Sequence, residues 1–188
     1  MDGTLTIAVH DFGRIRAELG IPEGAAILEY IDAQTAATAQ NLRGRLAELE
    51  GEYARAAKPQ PGAHEFLEQL ARRGARLGIL TRNSNAVAHD TLGNARLSRF
   101  FADADILGHD CVTPKPSPAG VQLLMQRWQA TCEATVMVGD YLYDIEAGQA
   151  AGVTTVYYDA NDDNQWTAQA DFRVTGYQAL KRLAKQSE

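Results

Sequence analysis

The stretch from Ala63 to Tyr157 constrains the fold most, because short apolar runs alternate there with segments of helical period. Ala63, Phe66, Leu67 and Leu70 mark a helix that stops near Gly74, and Leu77 to Leu80 reads as a buried strand. A helix over about residues 85–92 follows, then a short strand near Ile106 and Leu107. Val121, Leu124 and Trp128 mark another helix, and residues 134–138 another strand. A helix over 143–151 leads into a strand over 153–157, and Tyr177, Leu180 and Leu183 lie on a last helix. Strands separated by amphipathic helices specify a parallel sheet, since a parallel crossover is long and lays its helix over a sheet face.

The text before Lys58 is of another kind. Residues 12–57 are helical in pattern throughout, with Ile27, Leu28 and Ile31 on one helix and Leu42, Leu46, Leu49 and Tyr53 on the next. The run KPQPG (Lys58 to Gly62) then breaks the helix, because each proline disfavours helix in the residue before it. The expected fold class is therefore α/β: a Rossmann-like parallel sheet with helices on both faces, plus a small all-helical cap inserted after the first strand. The core is expected to hold residues 1–11 and 58–188, and the cap residues 12–57. DGTLT reads as the loop after that first strand, yet only Met1 stands before it. Loss of a central strand would leave two neighbours with unpaired ladder groups and bare apolar surface. The expectation is that an apolar strand precedes Met1.

Composition narrows the function classes. The formal net charge is -6 and the pI about 5.2, a poor match to nucleic-acid backbones. No apolar stretch approaches the roughly 20 residues that span a bilayer, and the N-terminus has no signal-peptide pattern. Cys111 and Cys132 lack CxxC or ligand spacing, so two reduced thiols in the cytoplasm are expected.

Four motifs fall at expected strand ends, where α/β sheets form their ligand crevice. They are DGT (Asp2, Gly3, Thr4), LTRN with Thr81, Arg82 and Asn83, the loop TPKPSP with Lys115, and VGDYLYD with Asp140 and Asp144. Two carboxylates about 4 Å apart repel by about 4 kcal/mol at an effective dielectric of about 20, so Asp2, Asp140 and Asp144 together favour a bound cation. Mg²⁺ suits oxygen ligands beside a substrate phosphate. Lys115 supplies a point charge for phosphate oxygens, and Thr81 a compact hydroxyl donor. Each motif alone has a bland reading. DGT is usually a turn, Thr81 a strand-end threonine, Lys115 a solvated loop lysine, and Asp140 or Asp144 a helix cap. Their joint order is what the bland readings leave unexplained.

That order resembles the haloacid dehalogenase-like hydrolase superfamily, whose pattern hhhDxDGT, hhhT/S, Lys, hhGDxxxD appears here as MDGTLT, GILTRN, KPSP and VMVGDYLYDIEAGQAAG. The segment PGAHEFLEQLARRGARLGILT is similar to the phosphoglycolate phosphatase-like branch. The resemblance implies Mg²⁺-dependent hydrolysis of a small phosphorylated metabolite through an aspartyl-phosphate. It implies Asp2 as acid and base, Thr81 and Lys115 as catalytic groups on the transferring phosphoryl, and Asp2, Asp140 and Asp144 as metal ligands. Gly3, Thr4, Arg82 and Asn83 are expected to join Thr81 and Lys115 around the phosphate. The family's nucleophile falls immediately before Met1, which takes the x of DxD. The cap arginines Arg14, Arg16, Arg43, Arg45 and Arg55 are more simply read as exposed helix charges than as substrate ligands. No Lys lies between Met1 and Ala57, which disfavours the related phosphonate-cleaving enzymes with their cap Lys. Rival readings are a sugar phosphomutase of the same fold and an inactive phosphate-ester binding protein. The expected assembly is a monomer or weak homodimer, with no nucleic-acid or membrane partner.

Overall fold

The computed structural model describes residues 1–186. Three helices come first: α1 (Phe12–Leu19), α2 (Ile27–Asp32) and α3 (Ala36–Arg55). α1 starts where the Asp11 carboxylate accepts the Arg14 backbone N–H at 2.8 Å, and ends at Gly20 with φ 65°. Ile15, Leu19, Leu28, Ile31, Leu46 and Leu49 bury one another in a cluster of their own. The opposite faces carry exposed ion pairs, Arg14 with Glu18 and Glu52, Arg43 with Asp32, and Arg45 with Glu48. These four arginine–carboxylate contacts fit the solvated-charge reading.

After Gly62 the alternation appears as α4 (Ala63–Arg72), β1 (Ile79–Leu80), α5 (Asn85–Asn94), β2 (Ile106–Leu107), α6 (Ala119–Trp128), β3 (Val136–Gly139), α7 (Leu142–Ala150), β4 (Thr154–Tyr158), β5 (Phe172–Val174) and α8 (Tyr177–Gln186). Every strand pair is parallel, with Ile79 opposite Ile106, Val138 opposite Val156, and Val156 opposite Phe172. Both faces are covered. Ile79 joins Leu67 of α4 and Leu92 of α5, whereas its neighbour Leu80 joins Val121 and Leu124 of α6. On β4, Val156 and Tyr158 meet Phe66, Tyr177 and Leu180.

Three features depart from the expectation. β1 starts at Ile79 rather than Leu77, because its ladder is limited by a two-residue partner. β5 was not expected from sequence: FRV is short, Arg173 interrupts the apolar pattern, and Phe172 stays 46% exposed. The parallel strands also form two sheets, β1–β2 and β3–β4–β5, instead of one. Between these pieces lies an apolar cavity of about 540 Å³, walled by Gly78–Leu80 on one side and Val136–Val138 on the other.

Candidate active site

The DGT loop is wound tightly on its own first residue. The backbone N–H groups of Thr4, Leu5 and Thr6 all donate to the Met1 carbonyl, at 3.3, 2.7 and 3.2 Å. Gly3 sits at φ 79°, and a Cβ there would collide with the Asp140 carboxylate. Clamps come from far along the chain. The Tyr177 hydroxyl donates to the Thr4 carbonyl at 3.0 Å, and the Gln60 side-chain amide donates to the Gly3 carbonyl at 3.2 Å.

Asp2 accepts from the Thr6 hydroxyl at 3.0 Å and from the Asn83 amide at 2.8 Å, so the first motif is tied directly to LTRN. Thr81 is buried at the end of β1, its N–H donating to the Leu107 carbonyl and its hydroxyl accepting the Asn83 N–H at 3.2 Å. Asp140 follows β3 and accepts the Thr4 hydroxyl at 2.6 Å. Burial first, and the Asp144 charge second, push its carboxyl above the usual carboxylate range.

Lys115 is no solvated lysine: it is 6% exposed, and its ammonium meets the Asp144 carboxylate, itself 5% exposed, at 2.5 Å. The other Asp144 oxygen accepts the Tyr141 backbone N–H at 3.1 Å. The capping role is therefore real for Asp144, yet it uses only one of the two oxygens.

Arg82 takes a different place from Thr81 and Asn83. Its guanidinium grips Glu29 of α2 through two bonds of 2.8 and 2.7 Å, donates to the Lys115 carbonyl, and lies 4.8 Å over the Tyr143 ring. It links the helical segment to the site loops. Sequence reasoning also missed Glu50 on α3, which is buried; burial, with the Asp2 charge adding to it, pushes its carboxyl up to about 8. Near it, His10 packs 4.6 Å from the Tyr53 ring, and burial lowers the imidazole pKa. The helical period of Leu46, Leu49 and Tyr53 would have placed Glu50 beside that inward face.

Oxygen atoms dominate the donor set around Asp140, Asp144, Asp2 and Thr4, which fits a hard cation such as Mg²⁺. The closeness of Asp140 and Asp144, felt in the raised Asp140 carboxyl, fits it too. Among the described residues no three His, Cys, Asp or Glu side chains already converge as a metal cage. Cys111 and Cys132 are free thiols.

The family model described as haloacid dehalogenase-like hydrolase matches residues 2–152. A pyrophosphatase PpaX of Oceanobacillus iheyensis is 40% identical over 96 residues, 50% of this chain and 44% of that protein. A phosphoglycolate phosphatase of Rhodospirillum rubrum is 32% identical over 126 residues, 66% of this chain and 52% of that protein. The chain thus spans about half the length of these relatives. A hydrolase from Pseudomonas syringae superposes with a TM-score of 0.80 at 20% identity, over 98% of this chain and 95% of that one. That likeness concerns the fold, and the long family match concerns descent: the chain belongs to the haloacid dehalogenase-like hydrolase family.

Proposed function

We propose that this chain carries the phosphoryl-transfer site of a Mg²⁺-dependent phosphatase acting on a small phosphomonoester. The observation that carries the reading is the buried Lys115–Asp144 pair beside half-buried Asp140 and buried Thr81, at the carboxyl ends of parallel strands. A buried lysine and hydroxyl offer donors to phosphoryl oxygens without competition from water. The relatives named pyrophosphatase and phosphoglycolate phosphatase support phosphate compounds as the substrate class.

In this reading Asp140 and Asp144, with the Asp2 main-chain oxygen, would hold Mg²⁺, and the ion would supply positive charge to offset the repulsion between carboxylates and phosphate. Thr81 and Lys115 bind and orient the transferring group. Asp2, held by Thr6 and Asn83, gives its proton to the leaving alcohol oxygen and later takes one from the attacking water. In the family pattern the nucleophile is the aspartate before the x of DxD, the position that Met1 takes; such a carboxylate would attack phosphorus, the alcohol would depart, and water would then release inorganic phosphate from the aspartyl-phosphate. The same reading expects a cytoplasmic monomer or weak homodimer. Among the described residues no helix is long and apolar enough to cross a membrane.

The test is release of phosphate from an aryl phosphate by the chain extended with an aspartate before Met1, with and without Mg²⁺. Mg²⁺-dependent turnover is expected, and Asp2→Asn should lower it by about 10²–10⁴-fold. No turnover across a broad phosphate-ester panel would overturn the proposal.

A further inference from the structure

Two side-chain polar atoms among the described residues are shut away from solvent without a hydrogen-bond partner, His10 Nε2 and the Tyr53 hydroxyl, and they belong to one place. Their rings lie 4.6 Å apart, His10 on the segment that leads from the DGT loop into α1 and Tyr53 on α3. Buried polar groups are nearly always paired, so two orphans side by side need a reason. Glu50 stands one helical turn before Tyr53 and is buried, its carboxyl facing the Ser84 backbone N–H. The Asp2 charge acts on both Glu50 and His10, so this cluster borders the carboxylate that, in the phosphatase reading, hands a proton to the leaving alcohol. Burial lowers the pKa of the His10 imidazole and raises that of the Glu50 carboxyl, which favours the neutral form of each. The cations tied to the site loops are already paired, Lys115 with Asp144 and Arg82 with both oxygens of Glu29.

We propose that His10, Glu50 and Tyr53 form the recognition site for the leaving group, and that this group is an uncharged alcohol with further hydroxyls, as in a polyol or sugar phosphate. A hydroxyl both donates and accepts, so it satisfies an imidazole nitrogen and a phenol together. A carboxylate or second phosphate on the leaving group would be buried there without a cation. An ammonium would need the ionised carboxyl that burial disfavours. Either charge costs more to seat than a neutral group. A leaving group without hydroxyls would keep both orphans unmet. The inference deepens the phosphatase reading and rests on it, since that reading puts the leaving group beside Asp2.

The test is calorimetric binding to the chain, with Mg²⁺ present, of esters similar in size: glycerol phosphate, ethyl phosphate, phosphoglycolate and phosphoethanolamine. Glycerol phosphate should bind tighter than each of the others by about tenfold or more. It should also move the nitrogen NMR signals of the His10 imidazole, which ethyl phosphate should leave in place. Tyr53→Phe and His10→Phe each remove an orphan atom while keeping a ring. Each should weaken glycerol phosphate binding by about tenfold, with Tm unchanged or raised, because a buried unmet group has gone. A lower Tm with affinity retained would mark the pair as structural and overturn the inference. Equal binding of ethyl phosphate would overturn it, as would binding of phosphoglycolate or phosphoethanolamine as tight as that of glycerol phosphate. So would the absence of binding by every ester. Should one variant fail to fold, the other decides. Selective binding of glycerol phosphate, with no turnover of any ester by the form carrying the added aspartate, would uphold the recognition site and remove the phosphatase reading. Turnover without selectivity among the esters would do the reverse.

Discussion

Lys115 and Asp144 form a buried pair whose two charges each replace water for the other. Removing one partner leaves the other charged and unmet, a cost of about 3–5 kcal/mol in buried pairs. Lys115→Met should therefore lower stability by about 3 kcal/mol in denaturant titration, and adding Asp144→Asn should restore a good part of that. Equal losses for the single and double variants would refute the coupling. Glu50 makes a pH prediction. Its carboxyl has an ordinary value of 4.5 and is pushed up to about 8 in the fold, so the folded state holds a proton that the unfolded chain releases. The stability tied to that proton is complete below pH 4.5 and drains away as pH rises through about 8. With divalent metal chelated, the native protein should lose on the order of 4 kcal/mol more than Glu50→Gln between those limits. Parallel stability curves would rule this out. Residue types were legible where chemistry demanded them in a motif, as with Thr81, Lys115 and Asp144. The Arg82 grip on Glu29 was not, because an ion pair between distant segments leaves no spacing to read.

Among the elements, the amphipathic helices were the clearest, since Val121, Leu124 and Trp128 can share a face only at helical period. The strand positions at Ile79–Leu80 and Thr154–Tyr158 were legible from apolar runs between glycines and helices. β5 was not, because its three residues owe their conformation to pairing with β4 and not to their own pattern. A similar dependence governs the DGT loop, which is shaped by α8. Tyr177→Phe removes the hydroxyl from a buried hydrogen bond and leaves the Thr4 carbonyl unmet. A loss of about 1–3 kcal/mol is expected, with faster hydrogen exchange at Thr4 to Thr6 than in the native chain. Unchanged exchange there would show that Gln60 and the Met1 carbonyl hold the loop unaided.

At the scale of the whole molecule, the parallel direction of every strand and the covering of both sheet faces followed from the alternation of elements. The division into two sheets did not, because sheet continuity depends on which edges meet across the gap. The bond from Tyr177 to Thr4 joins positions 173 residues apart, so it sets a schedule as well as a geometry. During synthesis the DGT loop is made before its support, because the hydroxyl that steadies it follows 173 residues later. At about 5–20 residues per second that interval is on the order of ten seconds or more. Until α8 docks, the DGT loop is an unfinished part of the molecule, and damage to α8 is felt in that loop.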